Sequence, residues 1–183
     1  MLSGDAWIDL DFISRERSLL LIQPLDAAYY LHSQVYKDHE NINAIVHTHS
    51  IKSAALSCLR NNSIQPVHQN SCRFLLNTLY EKTYDGIATS QSDEAQRISN
   101  LLFQAANREV LVLANHGILT FGKTLAVAFD HAYYFERAVE VQFLAFKAGP
   151  VKLIDKDTAV KTSKQVFSDH NETILLSFLA GAK

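Results

Sequence analysis

The chain has 183 residues and a formal net charge of -2, a length that suits a single domain with its own core. Hydrophobic residues make up 48% of it, ordinary for a globular protein, and its charge forms no basic stripe, so nucleic acid is a poor partner. No run is apolar and long enough to span a membrane, the first residues lack the basic and apolar parts of a signal peptide, and Cys58 and Cys72 begin no C-x-x-C, so the expected setting is the cytoplasm, with both thiols as small buried hydrophobes.

In chain order, residues 6–11 and 19–22 read as short strands joined by the charged turn Ser14-Arg15-Glu16-Arg17, a hairpin pattern. After Pro24, Asp26 suits the N-cap of a helix running to about Lys37. The run Ala44-Ile45-Val46-His47-Thr48-His49-Ser50 then reads as a buried strand, because Ile45 and Val46 are β-branched. On a strand, side chains two apart share a face, so His47 and His49 project towards one point. A small-residue helix over 51–59 follows, then the loop signal Asn61-Asn62-Ser63 and Pro66.

Ser90 and Asp93 have capping-box spacing ahead of a helix that ends near Asn107. Residues 110–114 and 118–121 read as strands on either side of Asn115-His116-Gly117, the glycine allowing a close backbone turn. The longest helix is expected over 124–148. Leu125, Ala128, Phe129, Ala132, Phe135, Val139, Phe143 and Phe146 recur there at helical spacing as a core stripe, and Gly149-Pro150 stops it. From Asp155 the tail is helical but weakly patterned.

Any one of these histidines alone reads as a satisfied strand-end residue. The pair His47/His49 together with His116 reads as a ligand set, because imidazole suits Zn, Ni, Fe or Co. Three imidazoles with an open fourth position describe a Lewis-acid site rather than a closed structural one. Zinc in such a site sits about 2.0–2.1 Å from each nitrogen.

Residues 44–50, the Tyr84-Asp85-Gly86 turn, residues 111–122 and the helix end over 138–149 together resemble the class II aldolase/adducin domain family. The likeness runs from about Asp9 to Gly149, with separated motifs in the right order. Residues 24–32, 64–69 and Glu140-Val141-Gln142 are more similar to the adducin-like branch than to the sugar-phosphate aldolases. The resemblance implies an α/β fold: an α/β/α sandwich with a largely antiparallel central sheet, shortened at its N-terminus. It implies one domain over residues 1–183, with the core at about 6–150 and a helical tail over 151–183. It carries the family's metal triad onto His47, His49 and His116, with a divalent metal, usually zinc, as cofactor. The implied chemistry is that of a metal-dependent aldehyde-lyase acting on a small carbonyl compound, a sugar or sugar phosphate. The implied assembly is a homo-oligomer, commonly a tetramer, and the crowded Tyr29, Tyr30 and Tyr36 are its candidate interface anchors.

Departures from the family's pattern bear on activity. The metal-contacting Glu that serves the family's aldolases as acid/base falls at Ala28, and general acid–base catalysis contributes about 10²–10⁴-fold. Positions that hold the substrate phosphate fall at Asp26 and Ala27, where a carboxylate repels an anion. The chain also begins well inside the family's pattern, without its N-terminal anion loop. A family Tyr donated by a neighbouring subunit falls near Gln69 or Asn70.

His32 lies one helical turn beyond Ala28 on the same side; it is the candidate substitute for the missing Glu, or else a packed helix histidine. His68 sits in a loop that can reach a neighbour's site, while His39, His131 and His170 read as solvated. Three readings follow: a metal-dependent lyase, a non-catalytic adducin-head-like oligomer or scaffold, and a part completed by another chain. Weak cleavage of fuculose- or rhamnulose-type phosphates is expected.

Overall fold

The structure is a computed structural model that describes residues 7–8, 26–86, 93–104 and 109–168. In chain order these form β1 (Trp7–Ile8), α1 (Asp26–Asp38), β2 (Ala44–Thr48), α2 (Ile51–Ser57), α3 (Gln69–Cys72), β3 (Thr78–Tyr80), α4 (Asp93–Phe103), β4 (Val110–Leu113), β5 (Gly117–Gly122), α5 (Leu125–Ala148) and α6 (Lys156–Ser168). The strands make one sheet in the order β1-β2-β5-β4-β3. The β1–β2, β2–β5 and β4–β5 pairings are antiparallel and β3–β4 is parallel.

Alternation along the strands sorts residues between two helical layers. Ile45, Leu111, Leu113, Leu119 and Phe121 pack with Leu31 and Val35 of α1 and Ile98 and Leu102 of α4. On the other face, Val110, Val112 and Ile118 meet Leu56 of α2 and Phe135 and Val139 of α5, while Ala44 and Val46 meet Ala128, Phe129 and Ala132. Fully burying a large apolar side chain contributes about 1.5–3 kcal/mol, so these two layers hold strands too short to persist alone. The sandwich and its largely antiparallel sheet are as expected.

Several local expectations need correction. β3 and α3 carry no strong local signal: β3 spans three residues and owes its place to β4 beside it. Of the α5 stripe, Phe146 is exposed. Tyr36 is half-buried and packs against the α1/α4 core cluster. Cys72 is buried but Cys58, the C-cap of α2, is exposed. The 19–22 strand, the turn at 14–17, Ser90, the helix end at Asn107 and residues 169–183 lie outside the described residues. No described helix is long and apolar enough to cross a membrane.

Candidate metal centre

The site forms where β2 stops and β4 turns into β5. His47 is the penultimate residue of β2 and shares the face of Ile45, towards α1. The strand ends at Thr48, so His49 lies just beyond it and is exposed. The reversal between β4 and β5 is made by Asn115, whose φ of 53° is left-handed, a conformation Asn tolerates better than most residues. This corrects the role expected of the glycine. Gly117 supplies room: a Cβ there would lie 2.5 Å from the Thr48 carbonyl oxygen and 3.0 Å from His49 Cδ2. Its missing side chain lets the His116 turn close against the His49 turn.

The result is that His47, His49 and His116 present ligand atoms that all lie within 4.8 Å of one another. His47 Nδ1 lies 3.0 Å from the Ile118 carbonyl oxygen. A carbonyl only accepts, so Nδ1 carries the proton and the lone pair of the neutral ring is on Nε2. That Nε2 is 3.0 Å from His49 Nε2. A backbone carbonyl that fixes the tautomer of a ligating imidazole is the usual outer support of a metal site. His116 Nδ1 is buried and has no hydrogen-bond partner.

Electrostatics favour neutral rings. Burial, followed by the nearby imidazoles of His116, His49 and His32, holds His47 down at about 3 against its ordinary 6.5. Burial, then His49, lowers His116 as well. Neutral, converging nitrogen donors with no acid in the set fit a borderline divalent ion such as zinc better than a hard, oxygen-seeking one. The residues present therefore fit the metal.

His32 is buried, with its ring centroid 6.2 Å from that of His47 and nearly perpendicular to it. It lies beside His47 and outside the three-residue group. Ala28 precedes it on α1 and brings no titratable group. Tyr84 is half exposed, its ring centroid 6.3 Å from that of His116. Two of the other histidines differ from expectation. His39 and His131 are buried, not solvated: His39 Nε2 lies 3.1 Å from the Ser99 carbonyl oxygen, and His131 Nδ1 donates to that of Phe121 at 3.0 Å. His68 Nδ1 accepts from the Asn70 N–H at 2.9 Å and caps α3. His170 lies outside the described residues.

Two supporting residues escape sequence reasoning. Ser57 Oγ accepts from the His116 N–H at 3.1 Å. The Glu136 carboxylate of α5 accepts from the Ser50 hydroxyl at 2.7 Å, directly after His49. Neither belongs to a recognisable motif; Ser57 lies in a small-residue helix and Glu136 among the polar positions of an amphipathic one.

The profile of the class II aldolase and adducin N-terminal domain matches residues 10–143, and the chain belongs to that family. Its relatives include adducins as well as enzymes. Over 142 residues it is 27% identical to a 4-hydroxy-3-prenylphenylpyruvate oxygenase/4-hydroxy-3-prenylbenzoate synthase of Streptomyces roseochromogenus subsp. oscitans, covering 78% of this chain and 50% of that one. Over 114 residues it is 30% identical to gamma-adducin of Homo sapiens, covering 62% of this chain and 15% of adducin. Among solved structures, an aldolase II superfamily protein from Pseudomonas syringae superposes with a TM-score of 0.72 at 25% identity, over 84% of this chain and 60% of that one. L-fuculose 1-phosphate aldolase from Glaciozyma antarctica PI12 gives 0.65 at 28%, over 80% and 52%. The chain spans about half the length of several curated relatives it matches.

Proposed function

We propose that this chain is a divalent-metal-binding protein, zinc first among the candidates, whose chemistry is slow, metal-dependent aldol cleavage of a small sugar or sugar phosphate. The convergence of His47, His49 and His116 within 4.8 Å carries this reading. When bound, the metal supplies Lewis acidity at a substrate carbonyl. His47, lowered by burial and the neighbouring imidazoles, and His116, lowered by burial and His49, would hold it from the sheet, and exposed His49 would hold it from the solvent side. His32 is the nearest candidate for proton transfer, standing in for the acid/base absent at Ala28. Slow turnover follows from that absence, since a positioned acid/base contributes about 10²–10⁴-fold.

A homo-oligomer, a tetramer by the family resemblance, fits the exposed Leu144 and Phe146 on α5, and a reducing cytoplasm fits two free cysteines. A second reading, a non-catalytic adducin-head-like oligomer, is favoured by Ala28 and Asp26, which remove the acid/base and oppose a phosphate.

Metal analysis of the purified chain, paired with cleavage assays on L-fuculose 1-phosphate and related sugar phosphates, tests both. The expected result is stoichiometric divalent metal with weak cleavage that Ala28→Glu alone does not restore. Absence of bound metal after saturation and desalting overturns the metal reading. Tight metal with no turnover supports the non-catalytic alternative, and robust turnover overturns the claim of slow chemistry.

A further inference from the structure

α2 links the two halves of the histidine cluster. At its N-terminal end stands Ser50, the residue after His49; at its C-terminal end, Ser57 grips the His116 turn. The Ser57 carbonyl accepts the Asn115 N–H at 3.2 Å and its Oγ accepts the His116 N–H at 3.1 Å. The same hydroxyl donates to the Ala54 carbonyl at 2.7 Å, which fixes its orientation. Beside the β2–β5 ladder, the placement of one seven-residue helix thus helps set the distance between the His49 turn and the His116 turn.

The N-terminal end of that helix is capped in an unusual way. Ser50 is the N-cap residue, yet its side chain makes no cap hydrogen bond. The orphan N–H groups of a first turn need an acceptor, and Glu136 supplies it from α5. One carboxylate oxygen accepts the Lys52 N–H at 3.0 Å. The other accepts the Ser53 N–H at 2.9 Å, the Ser53 hydroxyl at 2.6 Å and the Ser50 hydroxyl at 2.7 Å. Hydrogen bonds to an ionised carboxylate are among the stronger ones in proteins. The neighbouring Lys52–Glu140 pair, 3.4 Å apart and well exposed, contributes little by comparison.

We infer that Glu136 is a positioning residue for the histidine centre: by capping α2 from α5, it fixes the separation of the His49 and Ser57-held His116 turns that three-point metal binding requires. The inference rests on the metal reading above and reaches a residue that touches none of the three imidazoles. Loss of an outer support of this kind typically costs about 10–100-fold in metal affinity.

Cobalt titration of the full chain tests it, with the visible absorption band reporting ligand geometry and chelator competition reporting affinity. Glu136→Gln, shown to be folded by circular dichroism, is expected to bind cobalt about 10–100-fold more weakly with an altered band. Glu140→Gln, one turn away on the same helix, should match the parent. Unchanged affinity and band in folded Glu136→Gln overturn the inference while leaving the metal reading standing. Failure of the parent chain to bind cobalt overturns both. If Glu136→Gln does not fold, Ser53→Ala, which deletes one of the four bonds, takes its place: weaker binding supports the inference, and unchanged affinity and band overturn it.

Discussion

Each end of the sheet holds a group of ionisable side chains with buried members, and their contents differ. Where β2 stops and β4 turns into β5, three imidazoles converge with no acid in the ligand set. Where β4 begins and β5 ends, Arg73 pairs with Asp130, and His131 Nε2 lies 3.1 Å from Glu109 Oε2. The second group neutralises itself. Arg73 is almost wholly buried with its carboxylate beside it, and the Arg73 guanidinium lies against the Phe74 and Tyr134 rings. His131 donates from Nδ1 to the Phe121 carbonyl, and burial raises the neighbouring Glu109 carboxyl to about 7. The first group has no internal anion, and burial, followed by the neighbouring imidazoles, holds His47 down. The comparison teaches that burial alone does not mark a candidate ligand site; nitrogen donors that converge with no anion among them do.

Breaking the self-neutralised end should have the largest effect on folding. Asp130→Ala leaves the buried Arg73 charge unpaired, for an expected loss of about 3–5 kcal/mol in urea unfolding. Metal affinity per folded molecule should not change, and a matching fall would join the two ends into one unit. At the imidazole end the order reverses. His116→Ala should weaken metal binding by more than about 100-fold, beyond the range typical of outer supports, with a smaller change in the unfolding midpoint of the metal-free protein; chelator competition and urea titration check the two halves.

Gly117→Ala sharpens the comparison without altering any ligand. The added methyl meets the Thr48 backbone oxygen, which cannot move aside as a side-chain tip would. An overpacking cost of about 1–3 kcal/mol is expected, together with weaker metal binding, because relief of the clash separates the His116 and His49 turns. A stable variant with parental affinity would show that the close approach is dispensable.

The metal-free protein should also show a pair of opposed pH slopes. Glu109 ordinarily titrates at 4.5 and does so at about 7 in the fold, so its contribution is whole below pH 4.5 and is lost as pH rises through 7. His47 ordinarily titrates at 6.5 and is held down at about 3, so its contribution is whole above pH 6.5 and is lost as pH falls towards 3. Urea midpoints measured across this range should lose the Glu109 slope in Glu109→Gln and keep the acid-side slope. Persistence of the alkaline loss in that variant would assign it to another group.

Much of this was legible in one dimension. Apolar runs located β2, β4 and β5, a capping signal located α1 and helical apolar spacing located α5, because burial is recorded in residue type and spacing. The histidines stood out because each interrupts or ends an apolar strand, where a polar residue needs a reason. His39 and His131 were misread as solvated because their polar sequence neighbours conceal burial between layers; each has a backbone carbonyl within hydrogen-bond reach, and that of His39 is more than fifty residues away in the chain. β3 was missed because three residues carry too little periodicity, and its pairing with β4 is decided by the neighbouring strand.

The sequence by itself determined the layered α/β class and the identity of the imidazole donors, since both depend on residue type at short spacing. Tertiary structure alone decided what surrounds those donors. It put the Ile118 carbonyl on His47, Ser57 on the His116 turn and Glu136 at the head of α2. It also decided that Gly117 serves close approach while Asn115 makes the turn. These contacts join residues separated by 59 to 86 positions, and a hydrogen bond between such residues leaves no periodic trace, because it depends on where the two layers meet and not on the order of residues along either.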